Sequence, residues 1–185
     1  MRLDQPRIPP VPVDQWPTDA PPPTGPLVES GQAVHIFGTL ANHPALMRRW
    51  MRFANHVLFK STLPAREREL VILRVGHLCE AGYEWGQHVV IAREVGVTDD
   101  EIRRVRLGPT AAGWSELDRL LLTATDELRA DTFVTDATWN GLAAHLSVEQ
   151  LMDLVFTVGQ YVLVSMALNS FGVQPDEGLP GWDLT

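Results

Sequence analysis

The stretch that decides the fold is ARERELVILRVGHLCEAGYEWGQH, residues 65–88. Its middle is apolar on nearly every side of a helix, and a helix of that kind is covered on every side in a folded protein. Pro64, just before it, is typical of a helix start. Gly82 interrupts the pattern, which then resumes up to Gly96, a residue type that often follows a helix C-terminus. The sequence therefore predicts a central buried helix that ends or kinks at Gly82, followed by a second helix.

Helix start signals recur along the rest of the chain. They are Asn42 before an early helical proline, Ser115 and Asp136 before runs of helix formers, and capping boxes that begin at Thr98 and Ser147. The helix after Asn42 is expected to reach Phe59, and the last helix to reach about Ser170. No stretch alternates apolar and polar residues as a half-buried strand does. The sequence therefore predicts an all-α helical bundle of about seven helices.

The N-terminal part of the chain differs in composition from the rest. Nine of the fourteen prolines fall within residues 1–26, and proline is excluded from helix interiors and central strands. We expect residues 1–30 to form an extended arm that crosses the body of the molecule or a neighbouring subunit. Residues 31–175 are expected to form one helical domain, and residues 176–185 a C-terminal tail.

Charge and composition exclude several classes of partner. The formal net charge is −8, whereas proteins that bind nucleic acid or anionic membranes need clustered cations. The single cysteine cannot form an intrachain disulfide, and the N-terminus has no apolar stretch typical of a secretory signal. We expect a cytoplasmic protein that acts on a small molecule and binds neither nucleic acid nor membrane.

One segment resembles a membrane span by length alone. Residues 154–175 carry no charged side chain. Polar residues interrupt this segment, however, and no Lys or Arg flanks it as the positive-inside rule requires. We therefore expect a helix that is buried in the core or at a subunit interface.

An acid–base cluster is the main candidate site. Glu84 and His88 are four positions apart, so their side chains share one helix face. Glu69 lies among apolar residues, where an ionised carboxylate is costly unless it is paired. A chain reversal at Gly82 would bring Glu69 to His88. The alternative is an exposed Glu84–His88 pair worth roughly 0.3 kcal/mol, with Glu69 at the solvent end of its helix.

The residues from Pro64 to Val97, together with LMDLVFTVGQY at 151–161 and MALNSFGV at 166–173, resemble the carboxymuconolactone decarboxylase family. This family includes the alkylhydroperoxidase D type, and the resemblance covers the chain after the arm. In its peroxidase members a glutamate lies nineteen positions before the histidine of a C-x-x-C-x-x-x-H motif. Glu69 and His88 are also nineteen positions apart. The resemblance implies an alkylhydroperoxidase D-like helical bundle.

The cysteine positions of that motif are not kept. Ala81 and Glu84 occupy them, Tyr83 stands where some peroxidase members carry a histidine, and Cys79 lies two residues before the first motif position. A dithiol cycle needs one thiolate that attacks and a second thiol that resolves the product. A two-cysteine peroxidase is therefore not expected. Peroxiredoxin-type activity through Cys79 and an external thiol is one alternative, and inert packing of Cys79 is the other.

The resemblance also implies an activity and an assembly. Decarboxylating members use neither a metal nor an organic cofactor, so we expect a cofactor-free lyase, decarboxylase or isomerase in which Glu69, Glu84 and His88 transfer protons. The family suggests a homo-oligomer, a trimer or hexamer, with a dimer as the alternative. A non-catalytic helical oligomer that keeps only the fold is the remaining hypothesis.

Four further residues are candidates for substrate binding. A small carboxylated or carbonyl substrate needs a cation or oriented N–H groups for its negative oxygen atoms. Arg74 is a candidate for this role, with a buried ion pair to a glutamate as the alternative. Tyr83, Trp85 and Tyr161 are candidates for the lining of a small apolar pocket, or they belong to the core. His77 adds a metal-ligating residue type, but none of the common metal-site spacings is present, so no metal is expected.

Overall fold

The computed structural model describes residues 3–18 and 34–184. Within them the chain forms eight α-helices and no strand, so the prediction of an all-α fold is confirmed. The helices are α1 (Val34–Leu40), α2 (Pro44–Asn55), α3 (Ala65–Leu78), α4 (Gly82–Glu94), α5 (Asp99–Leu107), α6 (Glu116–Asp131), α7 (Asp136–Ala143) and α8 (Val148–Phe171). The expected arm–domain boundary and the PPPTGP stretch of the arm lie outside the described residues.

Helix α3 is the centre of the molecule. Every residue from Arg68 to Gly76 is buried, as its uniformly apolar pattern predicts. Helices α4, α6 and α8 make the most extensive contacts with it. Because α3 is covered on all sides, a polar side chain on it must be paired within the protein.

The connection between α3 and α4 sets the geometry of the site. Helix α3 ends at Leu78, and Glu80 adopts a left-handed conformation with φ of 52°. The backbone N–H of Ala81 then donates to the carbonyl of Gly76 at 2.9 Å, which closes the helix end. Gly82 is the first residue of α4. It therefore begins the second helix, whereas the sequence had predicted that it ends or kinks the first.

Helix caps agree with the sequence at three positions. Thr98 and Ser147 form complete capping boxes with Glu101 and Gln150, and the Ser115 side chain accepts from the backbone N–H of Asp118. These side chains satisfy N–H groups that have no partner within the helix. The starts of α5, α6 and α8 could therefore be predicted from the sequence.

Two other caps were predicted one residue away from their actual position. His43, not Asn42, caps α2, and Asn42 instead donates to the carbonyl of Pro9 in the N-terminal segment. Thr135, not Asp136, caps α7. The helix predicted to reach Phe59 is α-helical only as far as Asn55. A π-helical turn over His56–Lys60 follows directly.

Helix α8 is long and apolar enough to cross a membrane by length and composition, and half of its most apolar window is buried inside the protein. A core helix has the same composition. Here one face of α8 covers α3 and α4. The helix ends at Gly172, which takes a left-handed φ of 71°.

Both terminal segments pack on the helices. In the N-terminal segment, the N–H of Arg7 donates to the carbonyl of Phe171 at 2.8 Å, and a single 3₁₀ turn forms at Val13–Gln15. The C-terminal tail crosses α4 at Gly86, where a Cβ atom would lie only 2.9 Å from the carbonyl oxygen of Pro180. Glycine at this position therefore lets the tail lie directly on the helix that carries the candidate site.

Candidate acid–base site

A cavity of about 100 Å³ lies between α1, α2, α4 and α8. Most of its lining is aromatic or aliphatic. The polar side chains in the lining are Asn55, Tyr83, Glu84, Gln87, His88, Gln160 and Tyr161. Four of the predicted site residues, Tyr83, Glu84, His88 and Tyr161, therefore meet at one cavity. The contributions of α1 and α2, such as Phe37 and Trp50, were not predicted, because nothing local in those helices indicates which face meets α4.

Glu69 lies behind the cavity and holds the ring of His88. The Nδ1 atom of His88 lies 2.6 Å from Oε2 of Glu69. Nε of Arg68 donates to the other oxygen, Oε1, at 3.3 Å. Glu69 is 0% exposed, so both of its oxygen atoms are engaged by the protein. The predicted approach of Glu69 to His88 therefore occurs.

Glu84 lies on the other side of the imidazole. Its Oε1 atom is 3.0 Å from Nε2 of His88, a contact between residues one helical turn apart. The contact is electrostatic, because Oε1 lies off the N–H direction and accepts no directed hydrogen bond among the described residues. Of the two carboxylates, only Glu84 lines the cavity.

The two carboxylates determine the charge of His88. Burial favours the neutral ring, but the negative charges of Glu69 and Glu84 outweigh burial and raise the pKa of His88 from 6.5 to about 10. The ring is therefore an imidazolium at neutral pH, with each ring nitrogen within 3.0 Å of a carboxylate oxygen. The edge-to-face contact with Tyr161, at 4.9 Å between ring centroids, fixes the ring plane.

Tyr83 is held by a residue of the C-terminal tail. Its hydroxyl donates to Oδ2 of Asp176 at 2.7 Å, and Nε2 of Gln87 donates to the same oxygen at 2.8 Å. The other oxygen of Asp176 accepts from the backbone N–H of His35 at 3.0 Å. Burial and the charge of Asp176 raise the pKa of Tyr83 well above its usual value. Asp176 was not predicted, and its only signal was an acid directly after a long uncharged run.

Two predicted substrate-binding residues lie elsewhere. Trp85 packs against Trp182 of the tail, with ring centroids 5.0 Å apart, and its Nε1 donates to the carbonyl of Gly181 at 3.2 Å. Helical spacing explains the error, because Trp85 is one residue from Glu84 and so points to a different face of α4. Trp85 belongs to the core and not to the cavity lining.

Arg74 is also away from the cavity. Nε and Nη2 donate to the two oxygens of Asp126 at 2.6 and 2.8 Å, and Nη1 donates to the carbonyl of Val105 at 2.9 Å. The guanidinium therefore joins α3 to α6 and satisfies the C-terminal end of α5. The prediction that Arg74 holds a substrate carboxylate is corrected to a structural role.

The thiol is separate from the acid–base cluster. Cys79 caps the C-terminus of α3 and is buried, and its Sγ accepts from Nε of Arg129 at 3.4 Å. It borders a different cleft, of about 160 Å³, formed with Arg129 and Asn169. Cys79 is not part of the lining of the cavity that Glu84 and His88 share.

Metal-ligating side chains do not cluster within residues 3–18 and 34–184. In these ranges no group of three or more His, Cys, Asp or Glu side chains is arranged to hold a metal ion. His77 lies beside the indoles of Trp85 and Trp182, with ring centroids 6.4 and 6.0 Å away. It therefore does not join Glu69, Glu84 and His88.

Comparison with solved structures gives the same fold at low identity. An uncharacterized peroxidase-related protein from Ralstonia eutropha, with an alkylhydroperoxidase AhpD core, is 20% identical with a TM-score of 0.73, over 82% of this chain and 81% of that one. A peroxidase-related protein from Silicibacter is 15% identical with a TM-score of 0.75, over 96% and 93%. The debrominase Bmp8 is 13% identical with a TM-score of 0.77, over 92% of each chain. No curated protein matches the chain.

The family model of carboxymuconolactone decarboxylases matches residues 44–127. This range runs from the start of α2 into α6 and includes Glu69, Glu84 and His88. The structural relatives cover more of the chain than this range, 82% and 96% of it. Residues 44–127 therefore match the carboxymuconolactone decarboxylase family, and the chain has the fold of the alkylhydroperoxidase D-like proteins.

Proposed function

We propose that this protein is a cofactor-free acid–base enzyme. In this proposal it moves a proton at a carbon atom next to the carbonyl group of a small, uncharged, largely apolar substrate, as an isomerase or lyase does. The observation that supports this most is the buried set Glu69–His88–Glu84, in which one carboxylate lines a cavity and the other does not. Titratable groups with perturbed pKa values inside a cavity are typical of catalytic sites.

Glu84 is the proposed general base. Its side chain lines the cavity, and its buried Oε1 atom accepts no directed hydrogen bond among the described residues. In the proposed reaction the carboxylate removes a proton from the carbon, and the C–H electron pair forms the double bond of an enolate. The protonated Glu84 then exchanges its proton with solvent and returns a proton to a different carbon of the same system. Atoms and charge balance without a further reactant.

His88 and Glu69 have supporting roles in this proposal. Both ring nitrogens of His88 face carboxylates, so the imidazole does not reach the substrate itself, in contrast to the expectation from the sequence. The imidazolium instead places a positive charge 3.0 Å from Oε1 of Glu84, which offsets the cost of burying that carboxylate. Glu69 in turn keeps the imidazolium charged and oriented.

The enolate oxygen needs hydrogen-bond donors. Gln160 and Tyr161 line the cavity from α8, and neither side chain has a hydrogen-bond partner among the described residues. Burial and the charges of Glu84 and Glu69 raise the pKa of Tyr161 well above its usual value, so its hydroxyl keeps its proton. Donors that are already in place lower the barrier because they need no reorganisation. In this proposal the side chains of Gln160 and Tyr161 donate hydrogen bonds to the enolate oxygen.

The cavity favours an uncharged carbonyl compound over a carboxylate. None of the described residues that line it is Lys or Arg, and the one cation, His88, is paired with two carboxylates. A substrate carboxylate would therefore lose its hydration without gaining a counter-ion. Single-cysteine peroxidase activity has less support, because the sulfur of Cys79 is not in the cavity lining.

Solvent deuterium exchange tests the proposal even when the final product is not identified. The protein is incubated in D₂O with a panel of β,γ-unsaturated cyclic ketones, and loss of the α-hydrogen signal is followed by NMR. Wild type is expected to catalyse exchange, and Glu84→Gln to lose at least about 100-fold of the rate. Glu94→Gln, an exposed carboxylate on the same helix, is the matched control.

One carboxylated compound, γ-carboxymuconolactone, is tested beside the uncharged ketones. We expect it to react more slowly than the uncharged ketones. Exchange that survives in Glu84→Gln, or absence of exchange with every uncharged member, would overturn the assignment. Faster turnover of the carboxylated compound would restore the decarboxylase hypothesis.

A further inference from the structure

The cavity of the acid–base site is small for a complete substrate. Its volume is about 100 Å³, whereas pockets that enclose a whole small-molecule ligand measure roughly 300–1,000 Å³. A carbonyl group and the few carbon atoms next to it fill such a cavity. Any larger part of the substrate must therefore lie in a neighbouring space.

A space of the required size lies directly beside the cavity, between α1, α2 and α8. It is an apolar groove with a volume of about 450 Å³. Ile36, Trp50 and Val164 line both the groove and the cavity. The two spaces are therefore no more than one side chain apart, and one molecule of modest length can occupy both.

The lining of the groove selects an uncharged, apolar occupant. Most of it is aliphatic and comes from Leu40, Leu46, Leu163, Ala167, Leu168 and Val173. None of the described residues that line the groove is Asp, Glu, Lys, Arg or His. A charged group would lose its hydration there without gaining a partner. A chain of methylene groups is instead stabilised by the same transfer out of water.

One buried hydroxyl in the groove has no partner. Thr39 is 4% exposed, and its Oγ1 atom makes no hydrogen bond among the described residues. A threonine inside a helix often donates to the carbonyl four residues before it, but Thr39 does not. Its side chain lines the groove and not the cavity. An unpaired buried hydroxyl is costly, so an acceptor oxygen on a bound chain would be favourable there.

We propose that the groove holds a side chain of the substrate. The substrate class is then an enolisable cyclic ketone with an uncharged alkyl chain of several carbons, in which an ether oxygen accepts a hydrogen bond from the hydroxyl of Thr39. The position of the ketone next to Glu84 rests on the proposed function. The groove adds the recognition of the rest of the molecule and takes no part in the proton transfer.

This arrangement has a kinetic consequence. The chain makes the same contacts with the groove before and during the reaction, since the proton moves in the cavity. Contacts of that kind lower KM and leave kcat unchanged. A longer chain is therefore expected to raise kcat/KM through KM.

Isothermal titration calorimetry tests the proposal on the full-length chain. The probes are saturated 4-alkylcyclohexanones with chains from methyl to hexyl, so that binding is measured without net conversion. For wild type we expect the affinity to rise about fourfold with each added methylene until the groove is full. An affinity that does not depend on chain length overturns the proposal.

A variant that fills the groove shows where the chain binds. Ala167→Phe places a ring in the groove and is expected to make the affinity nearly independent of chain length. Ala130→Phe, the same change at an exposed alanine of α6 outside the lining, is the matched control and keeps the wild-type dependence. Circular dichroism establishes that each variant is folded. If Ala167→Phe does not fold, Ala167→Leu replaces it and is expected to shorten the chain at which the affinity stops rising. A folded variant at Ala167 that keeps the wild-type dependence overturns the proposal.

Ether analogues of the butyl compound, with oxygen at each successive position of the chain, test the hydrogen bond from Thr39. Thr39→Val removes the hydroxyl and keeps nearly the same volume. For the best analogue, the affinity relative to the butyl compound is expected to be roughly fivefold greater in wild type than in Thr39→Val. Equal ratios in the two proteins overturn the assignment of an oxygen atom to the chain.

Deuterium exchange separates this inference from the proposed function. It is measured with β,γ-unsaturated cyclic ketones that carry the same chains, and kcat/KM is expected to rise with chain length while kcat stays constant. Affinity that grows with chain length, without exchange in any compound, overturns the proposed reaction and leaves the groove as the binding site of the chain. Exchange whose KM does not depend on chain length overturns the role of the groove and leaves the proposed reaction in place.

Discussion

The imidazole of His88 and the carboxylate of Glu69 are in contact, with Nδ1 and Oε2 2.6 Å apart, although the residues lie on different helices and nineteen positions apart. The left-handed turn at Glu80 brings α4 back along α3 and makes this contact. Both groups are buried, and a buried pair interacts more strongly than an exposed one because water screens it less. The charge of His88 therefore depends on the packing of α4 against α3.

Glu69→Gln is predicted to lower the pKa of His88 from about 10 towards neutrality. The amide keeps the size of the side chain but removes one of the two charges that hold the imidazolium. NMR titration of the ring carbons of His88 measures this change directly and needs no substrate.

The control for this prediction is Glu67→Gln, on the same helix, where the half-buried carboxylate pairs with Arg66. It is expected to leave the titration of His88 as in wild type. A pKa of His88 that does not move in Glu69→Gln would show that Glu69 does not determine the charge of the ring.

The stability of the protein is predicted to fall as pH rises from 6.5 to about 10. In this interval the folded protein keeps the proton of His88, whereas the unfolded chain, with an ordinary pKa, releases it. The stabilisation is therefore complete below pH 6.5 and is lost as pH passes the folded pKa. The slope from this one group is at most about 1.4 kcal/mol per pH unit.

Urea denaturation at a series of pH values measures this slope. In His88→Gln the slope over the same interval is expected to flatten, because no proton is retained on folding at this site. His145→Gln, an exposed histidine near Glu116, serves as the comparison and is expected to keep the wild-type slope. Parallel curves for wild type and His88→Gln would mean that His88 is not charged in the folded protein.

The sequence predicted the parts of the site that depend on spacing along the chain. Glu84 and His88 share a helix face, and the nineteen-residue separation from Glu69 matched a known motif. It did not predict parts that depend on distant packing. The partner of Arg74 is Asp126, 52 positions away, and the partner of Tyr83 is Asp176, 93 positions away. The residues next to each position along the chain carry no information on such distant pairs. Arg74 was therefore assigned to the wrong place, and the contact between Tyr83 and Asp176 of the tail was not predicted.

Arg74→Ala is predicted to destabilise the fold by about 2–4 kcal/mol, because it leaves Asp126 and the carbonyls at the end of α5 without their donor. The loss of stability is small for a buried ion pair, because Asp126 is partly exposed. The free energy of unfolding in urea measures it. Arg103→Ala, which removes an exposed pair with Asp100, is expected to cost less than about 0.5 kcal/mol.

The titration of His88 separates the two roles considered for Arg74. A structural arginine leaves the pKa of His88 unchanged in Arg74→Ala once the variant is folded. A substantial change in the pKa of His88, with little loss of stability, would place Arg74 at the acid–base site after all.

Asp176→Asn is predicted to lower the pKa of Tyr83 towards its ordinary value. Burial is the larger cause of the raised pKa, and the charge of Asp176 is the second, so the shift is partial. Because the chain has only two tyrosines, ultraviolet titration in a Tyr161→Phe background reports Tyr83 alone. If the titration of Tyr83 is the same with and without Asp176→Asn, the tail does not hold this ring.

Cys79→Ser is predicted to leave the proposed proton transfer intact, because Cys79 is outside the cavity lining and its sulfur contacts Arg129. The same variant decides the peroxidase alternative. Peroxide consumption with dithiothreitol or glutathione as external thiol is expected to be no faster with wild type than with Cys79→Ser, since a buried sulfur is poorly reached by peroxide. Peroxide consumption that depends on Cys79 would assign a redox function to the cleft that Cys79 borders with Arg129 and Asn169. The C-terminus of α3 would then have to open to expose the thiol. Deuterium exchange measured on the same two samples keeps the two activities distinct, because the acid–base cluster contains no sulfur.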